Sequence, residues 1–267
     1  MSDALPHEQG PGPLWAYTET SLPGDTLADR LTRAKALGLA IEAVHREAFP
    51  IAQVRDAGVD IATVQAYGMH DFHPLHRDPA IRDAALPYLH EAIQFTGRLG
   101  VSRLVVVCGF GSDLADHPLE RAIAFFEQAI PAAREAGVRL LIEPLSPRRC
   151  AALHDPEAIG QLIETLDCPD ALSMVLDTGH LLDSGWDLDE FFTHWKRPVV
   201  ELQLKGRDSA PPSPSSPVAR WLRSLPQMPD VISIEHRQPI TPQRGEDLVR
   251  ALRDGLMINP DHRPNPS

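Results

Sequence analysis

Eight short apolar runs, each followed by a longer amphipathic stretch, constrain this chain more than any other feature. The runs at 14–17, 39–44, 59–66, 101–108, 138–142, 172–176, 199–204 and 231–234 read as buried strands. The stretches at 26–37, 50–57, 80–99, 118–136, from Asp155 onward, 188–195, 219–225 and 245–256 read as helices. Apolar residues at helical spacing distinguish the second set, and short β-rich runs the first. Asp155 or the preceding His154 serves as an N-cap and Gly137 as a helix stop. Eight strand–helix units in about 250 residues predict a single-domain (β/α)₈ TIM barrel over residues 13–257. An open doubly wound sheet is the alternative. It lacks the GxGxxG turn after the first strand that a dinucleotide fold would show. Residues 1–12 are polar and Pro-rich, with no apolar signal-like core, and 258–267 read as a disordered tail.

Charge and cysteine content narrow the function classes. A net charge of -12 disfavours nucleic acid and anionic membrane as partners, because phosphate contact rewards Lys and Arg. No run approaches the ~20 apolar residues needed to cross a bilayer. Cys108, Cys150 and Cys168 are odd in number and lack metal-ligand spacing, so a reducing cytoplasm is the simplest setting.

In a barrel, chemistry belongs where strands end and the following loops begin. The fifth run (LLIEP) ends on Glu143 and the sixth (VLDTGH) on Asp177, with His180 three residues on. The seventh (ELQLKGRD) carries Gln203, and the eighth (SIEHR) ends on Glu235. The separations of 34, 26 and 32 residues are each close to one βα unit. Three carboxylates and an amide at one level repel unless a cation lies among them. An all-oxygen donor set favours Mg²⁺ or Mn²⁺, with Co or Zn as further candidates. A lone strand-end Glu would be an ordinary solvated carboxylate; four in register are harder to dismiss. His70, His73 and His76 in the third βα loop admit a zinc reading or a polar lid, with His73 as the predicted substrate contact. Arg148, Arg149, Lys205, Arg207 and Arg237 make the mouth locally basic. They either hold a substrate anion or pair with loop acids such as Asp208. Cys108 and Cys150 near the mouth have no evident base partner and read as structural.

The ordered set HRDPAIRDAALPYLHEAI, RLVVVCGFG, LLIEPL, VLDTGH, LQLKGRD and SIEH, from about Val59 to His236, resembles the xylose-isomerase-like TIM-barrel superfamily of sugar isomerases, epimerases and endonuclease-IV-like proteins. The family's metal ligands, Glu, Asp, His and Glu, fall on Glu143, Asp177, Gln203 and Glu235. Gln203 departs from the usual His and is similar to hydroxypyruvate-isomerase-like members. The IEPL segment is similar to ketose 3-epimerases, but Arg149 stands near the place of a further family Glu, which favours an acidic substrate. The resemblance implies a divalent-metal-dependent isomerase or epimerase of a small hydroxy-carbonyl substrate. Glu143 and Glu235 would move the proton through an enediolate. Asp177 and Gln203 would hold the metal; His180, His73, Lys205, Arg207 and Arg237 would contact substrate. Dimers are common in the superfamily, so a homodimer is compatible, without an interface signature in the sequence. Two other readings are a metal-dependent hydrolase, endonuclease-IV-like or amidohydrolase, and a non-catalytic accessory barrel weakened by Gln203.

Overall fold

A computed structural model describes residues 12–46, 49–195, 197–225 and 227–257. The predicted tails fall outside these, Gly12 excepted. Eight parallel strands close into a barrel in sequence order: β1 (Leu14–Thr18), β2 (Ala40–Val44), β3 (Ile61–Gln65), β4 (Arg103–Val106), β5 (Arg139–Ile142), β6 (Leu172–Asp177), β7 (Val199–Leu204) and β8 (Val231–Ile234). Leu14 to Tyr17 of β1 pair with Val231 to Ile234 of β8, which completes the ring. The (β/α)₈ barrel predicted from the alternation is the observed architecture.

Nine helices lie among the described residues. They are α1 (Leu27–Ala36), α2 (Ile51–Ala57), α3 (Pro79–Arg98), α4 (Pro118–Glu135), α5 (Pro156–Leu166), α6 (Thr178–Ser184), α7 (Leu188–His194), α8 (Pro217–Ser224) and α9 (Pro242–Met257). Their starts follow local chemistry. Thr26 and Asp29 form a reciprocal capping box on α1. Asp155 Oδ1 accepts from Ala158 N at 2.7 Å, the cap expected from the sequence, with Pro156 at the first helical position. Strand predictions overran at 59–66 and 101–108. Val59, Ala66, Val101, Val107 and Cys108 are buried, as their apolarity demands, but lie outside the strand ladder. Helix α6 was not anticipated. It has seven residues, too few to show a period, and is nucleated by Asp177, whose Oδ1 accepts from the backbone of Gly179 and His180.

The main core lies between the outer strand faces and the helices, with Leu104, Leu140, Met174, Leu202 and Ile232 packed under them. Inside the ring, Val105, Leu141 and Val175 cluster beneath the site. Much of the rest of the lumen is polar. Fully buried Glu42 on β2 accepts from Thr18 Oγ1 (2.9 Å), Gln65 Nε2 (2.9 Å), Ser233 Oγ (2.5 Å) and Gln203 Nε2 (2.6 Å). Below it, Thr63 Oγ1 donates to Glu201 at 2.6 Å. Burial first, with Glu42 nearby, pushes Glu201 well above the ordinary carboxylate range.

Candidate active site

Alternation along β7 aims Glu201, Gln203 and, just beyond the strand, Lys205 into the lumen. Asp177 and Gln203 are register partners on β6 and β7, and Gln203 is partnered in turn by Ser233, two residues before Glu235. Glu143 N donates to Val106 O at 2.9 Å, extending β5 by one rung and fixing the carboxylate at the strand mouth. Thus Glu143, Asp177, Gln203 and Glu235 stand at the ends of four consecutive strands. Glu143, Glu235, His180, Lys205 and Arg237 line one small enclosed cavity of about 30 Å³. A larger chamber of about 300 Å³ shares His180, Lys205 and Arg149 with it.

Lys205 dominates the electrostatics. It is 3% exposed, and its Nζ bridges Asp177 Oδ2 and, at 2.8 Å, Glu235 Oε1. Burial acts to lower its basicity, but Asp177, Glu235 and Glu143 together outweigh burial and raise it, so Lys205 stays an ammonium. Glu143 is pushed well above the usual carboxylate range by burial first and then by Asp177 and Glu235. His180 Nδ1 accepts from Ser146 N at 3.2 Å, which leaves Nε2 facing Glu143 Oε1 at 3.5 Å. Burial, helped by Lys205, lowers its pKa to about 3, so the ring is neutral and, with Nδ1 accepting, its Nε2–H is available as a hydrogen-bond donor.

The residues fit a divalent cation. Glu143, Asp177 and His180 offer ligand atoms within 4.8 Å of one another. Gln203 Oε1 is buried without a hydrogen-bond partner, while its Nε2 is committed to Glu42. An orphaned carbonyl beside three carboxylates is an acceptor waiting for a cation. Glu42 therefore fixes the Gln203 amide by its nitrogen and leaves its oxygen free, and Gln65 Nε2 bridges Glu42 and Glu235 Oε2, both at 2.9 Å. The sequence reading missed Glu42, Gln65 and Glu201; the period-two spacing of Thr63 with Gln65 and of Glu201 with Gln203 was an available signal, whereas Glu42 stands alone in its strand. Gly179 of the DTGH segment is held to glycine by crowding, since a Cβ there would stand 2.7 Å from Gly206 O and 3.1 Å from Asp177 Oδ1.

The other expected site residues divide. His73 is 1% exposed, and burial lowers its pKa to about 4; it lies under the third βα loop rather than in the cavity lining. His70 lines the cavity instead, edge-on to Tyr67 (4.6 Å) and Phe110 (4.7 Å). Arg207 is exposed on a 3₁₀ turn outside both linings. Arg148 pairs with Asp183 at 3.0 Å and Asp208 at 2.6 Å. All three cysteines are free, and burial raises Cys108 far from thiolate chemistry.

The family model for xylose isomerase-like TIM barrels matches residues 51–253. The chain belongs to that family. No curated protein matches this xylose isomerase-like barrel in sequence. Among solved structures it is similar to the apo form of 3-keto-D-glucoside 4-epimerase YcjR from E. coli, with a TM-score of 0.75 and 14% identity, covering 91% of this chain and 99% of that one. It is also similar to the IOLI protein with a bound zinc atom (TM-score 0.74, 13% identity, 91% and 98% covered). A third is D-allulose 3-epimerase from Methylomonas sp. in complex with D-allulose (TM-score 0.71, 14% identity, 92% and 97% covered). At these identities the likeness is one of fold. No helix among the described residues is long and apolar enough to cross a membrane.

Proposed function

We propose that this xylose isomerase-like barrel is a divalent-metal-dependent isomerase or epimerase of a small hydroxy-carbonyl substrate. The observation that carries the reading is the convergence of Glu143, Asp177 and His180 on one point, with the unpartnered Gln203 carbonyl at the same strand level and Glu143 and Glu235 facing one cavity. Glu143, Asp177, Gln203 and Glu235 would hold the ion, with His180 as a further donor or substrate contact. When bound, the ion supplies Lewis-acid polarisation of the substrate's carbonyl and hydroxyl oxygens.

The chain's own residues do the rest. One of Glu143 and Glu235 takes a proton from the carbon next to the carbonyl. The other returns a proton to the resulting enediolate, at the neighbouring carbon or on the opposite face. General acid–base assistance of this kind is worth about 10²–10⁴-fold. Lys205, held between Asp177 and Glu235, places a fixed positive charge where the enediolate gains negative charge. The neutral Nε2–H of His180 is directed at Glu143 and orients its carboxylate.

Metal content by elemental analysis, measured beside solvent-proton exchange of hydroxy-ketones in D₂O, tests the reading. About one divalent ion per chain, lost in a Glu143→Ala/Glu235→Ala double variant, is expected. So is a fall of at least about 100-fold in exchange for Glu143→Gln and Glu235→Gln, with unchanged circular dichroism. A protein that takes up no ion on reconstitution, or wild-type exchange in both Gln variants, would overturn it.

A further inference from the structure

The cavity rim carries two arginines that form no ion pair among the described residues. Arg149 is half-buried and Arg237 exposed, and both line the cavity that holds Glu143 and Glu235. Neither guanidinium has a carboxylate partner among the described residues, whereas neighbouring Arg148 has two. Their backbones are nevertheless fixed. Arg149 N donates to Ser146 O at 2.8 Å, and Arg149 O accepts from Gly111 N at 2.6 Å, in a bridge that locks this loop to the one after β4. Arg237 N donates to Ser209 O at 2.9 Å. A half-buried guanidinium over a polar cavity is stabilised when an anion fills it. Lys205 does not serve this purpose, since Asp177 and Glu235 already hold its ammonium.

We infer that Arg149 and Arg237 form a subsite for a terminal anionic group, carboxylate or phosphate, on a small hydroxy-ketone whose reactive carbon lies at Glu143 and Glu235. The inference rests on the isomerase reading for the reactive end only. Glu143, Glu235 and both arginines line the cavity of about 30 Å³, and the adjoining chamber of about 300 Å³, which shares Arg149, His180 and Lys205 with it, supplies room for no more than a short-chain substrate. Planar, five-donor guanidinium groups match carboxylate and phosphate oxygens better than they match hydroxyls. The sequence offered Arg149 within a basic mouth and named Arg207 or Arg237 for the anionic end; Arg207 lies outside the cavity lining, and Arg149 takes its place in this inference.

Three achiral probes share a hydroxymethyl ketone and differ at the far end: dihydroxyacetone, hydroxypyruvate and dihydroxyacetone phosphate. Their binding to the metal-loaded protein is measured by calorimetry. Hydroxypyruvate or dihydroxyacetone phosphate, or both, should bind at least about tenfold more tightly than dihydroxyacetone, and the better of the two identifies the anion. An Arg149→Met/Arg237→Met double variant should bring the anions down to the level of dihydroxyacetone. Arg148→Met, whose guanidinium is already paired, should keep the preference. Equal affinities, no binding by any probe, or a preference that survives in the double variant would each overturn the subsite. Proton exchange on the same samples separates the two ideas. An arginine-dependent preference without exchange leaves the subsite and removes the isomerase; exchange with no preference does the reverse.

Discussion

Replacing Lys205 with Met should destabilise the barrel through charge alone, since the two side chains are similar in length. Lys205 Nζ lies 2.8 Å from Glu235 Oε1 and also contacts Asp177 Oδ2, and Asp177 is fully buried. At an effective dielectric of about 20, one such contact is worth roughly 6 kcal/mol of Coulomb energy, before the cost of dehydrating the ammonium is subtracted. Removing one member of a buried ion pair typically leaves a net loss of about 3–5 kcal/mol. At roughly 2–4 °C per kcal/mol for a domain near this size, the melting temperature should fall by about 6–20 °C in EDTA at pH 7.5. The raised basicity of Lys205 places its contribution below the ordinary lysine value of about 10.4, with loss only as pH rises through the still higher folded value. The wild type therefore keeps this contribution across the neutral range. In the variant Glu143, already raised by burial, Asp177 and Glu235, loses the opposing ammonium, so the deficit should shrink as falling pH protonates it. Added Mn²⁺ should recover more stability in the variant than in the wild type, because the ion then has no ammonium to compete with. Thermal melts followed by circular dichroism measure all three. A variant within about 2 °C of wild type, with no greater response to Mn²⁺, would refute the assignment of Lys205 as the resident cation of the carboxylate cluster.

Other perturbations have equally direct outcomes. Glu42→Leu frees the Gln203 amide to turn, and zinc affinity by competition with a chromophoric chelator should weaken about 10–100-fold, the usual cost of losing a group that orients a ligand. His73 has its pKa lowered to about 4 by burial, against about 6.5 when unfolded. Protonation thus favours the unfolded chain, and stability should fall as pH drops from about 6.5 to 4. His73→Gln should lower the slope of that acid limb by about one proton in denaturant titrations. Gly179→Ala forces a Cβ against Gly206 O, and a loss of about 1–3 kcal/mol in urea unfolding is expected, together with weaker metal binding as Asp177 and His180 shift.

The parts of the molecule that were legible from sequence are those set by burial and spacing. Glu143, Asp177, Gln203 and Glu235 each follow an apolar run, and the barrel repeat puts them at one level. Side-chain partners across the ring were not legible, because strand order supplies no register between β2 and β7. Glu42 reads as a single acid in LAIEAV, and only the closed ring brings it to Gln203 and Ser233. Loop geometry was the other blind spot. Among His70, His73 and His76, nothing in the one-dimensional spacing distinguishes the ring that lines the cavity from the one sealed beneath it. The Gly111–Cys150 bridge, which aims Arg149, joins two loops whose sequences show no strand character.

The seam between β1 and β8 also governs when the protein can acquire chemistry. Leu14 meets Val231 there, and Tyr17 of β1 reaches His236 at 2.6 Å, next to Glu235. Glu143 and Glu235, proposed above to move the proton, come from the second half of the chain, yet the groups that hydrogen-bond Gln203 and Glu235, namely Glu42 and Gln65, come from the early part. Contacts this distant along the chain form late and slowly during folding. A chain emerging from the ribosome would consequently stay inert, with neither a steadied amide nor an opposed carboxylate, until the last strand docks on the first. Ring closure is thus the step at which the proposed site becomes complete.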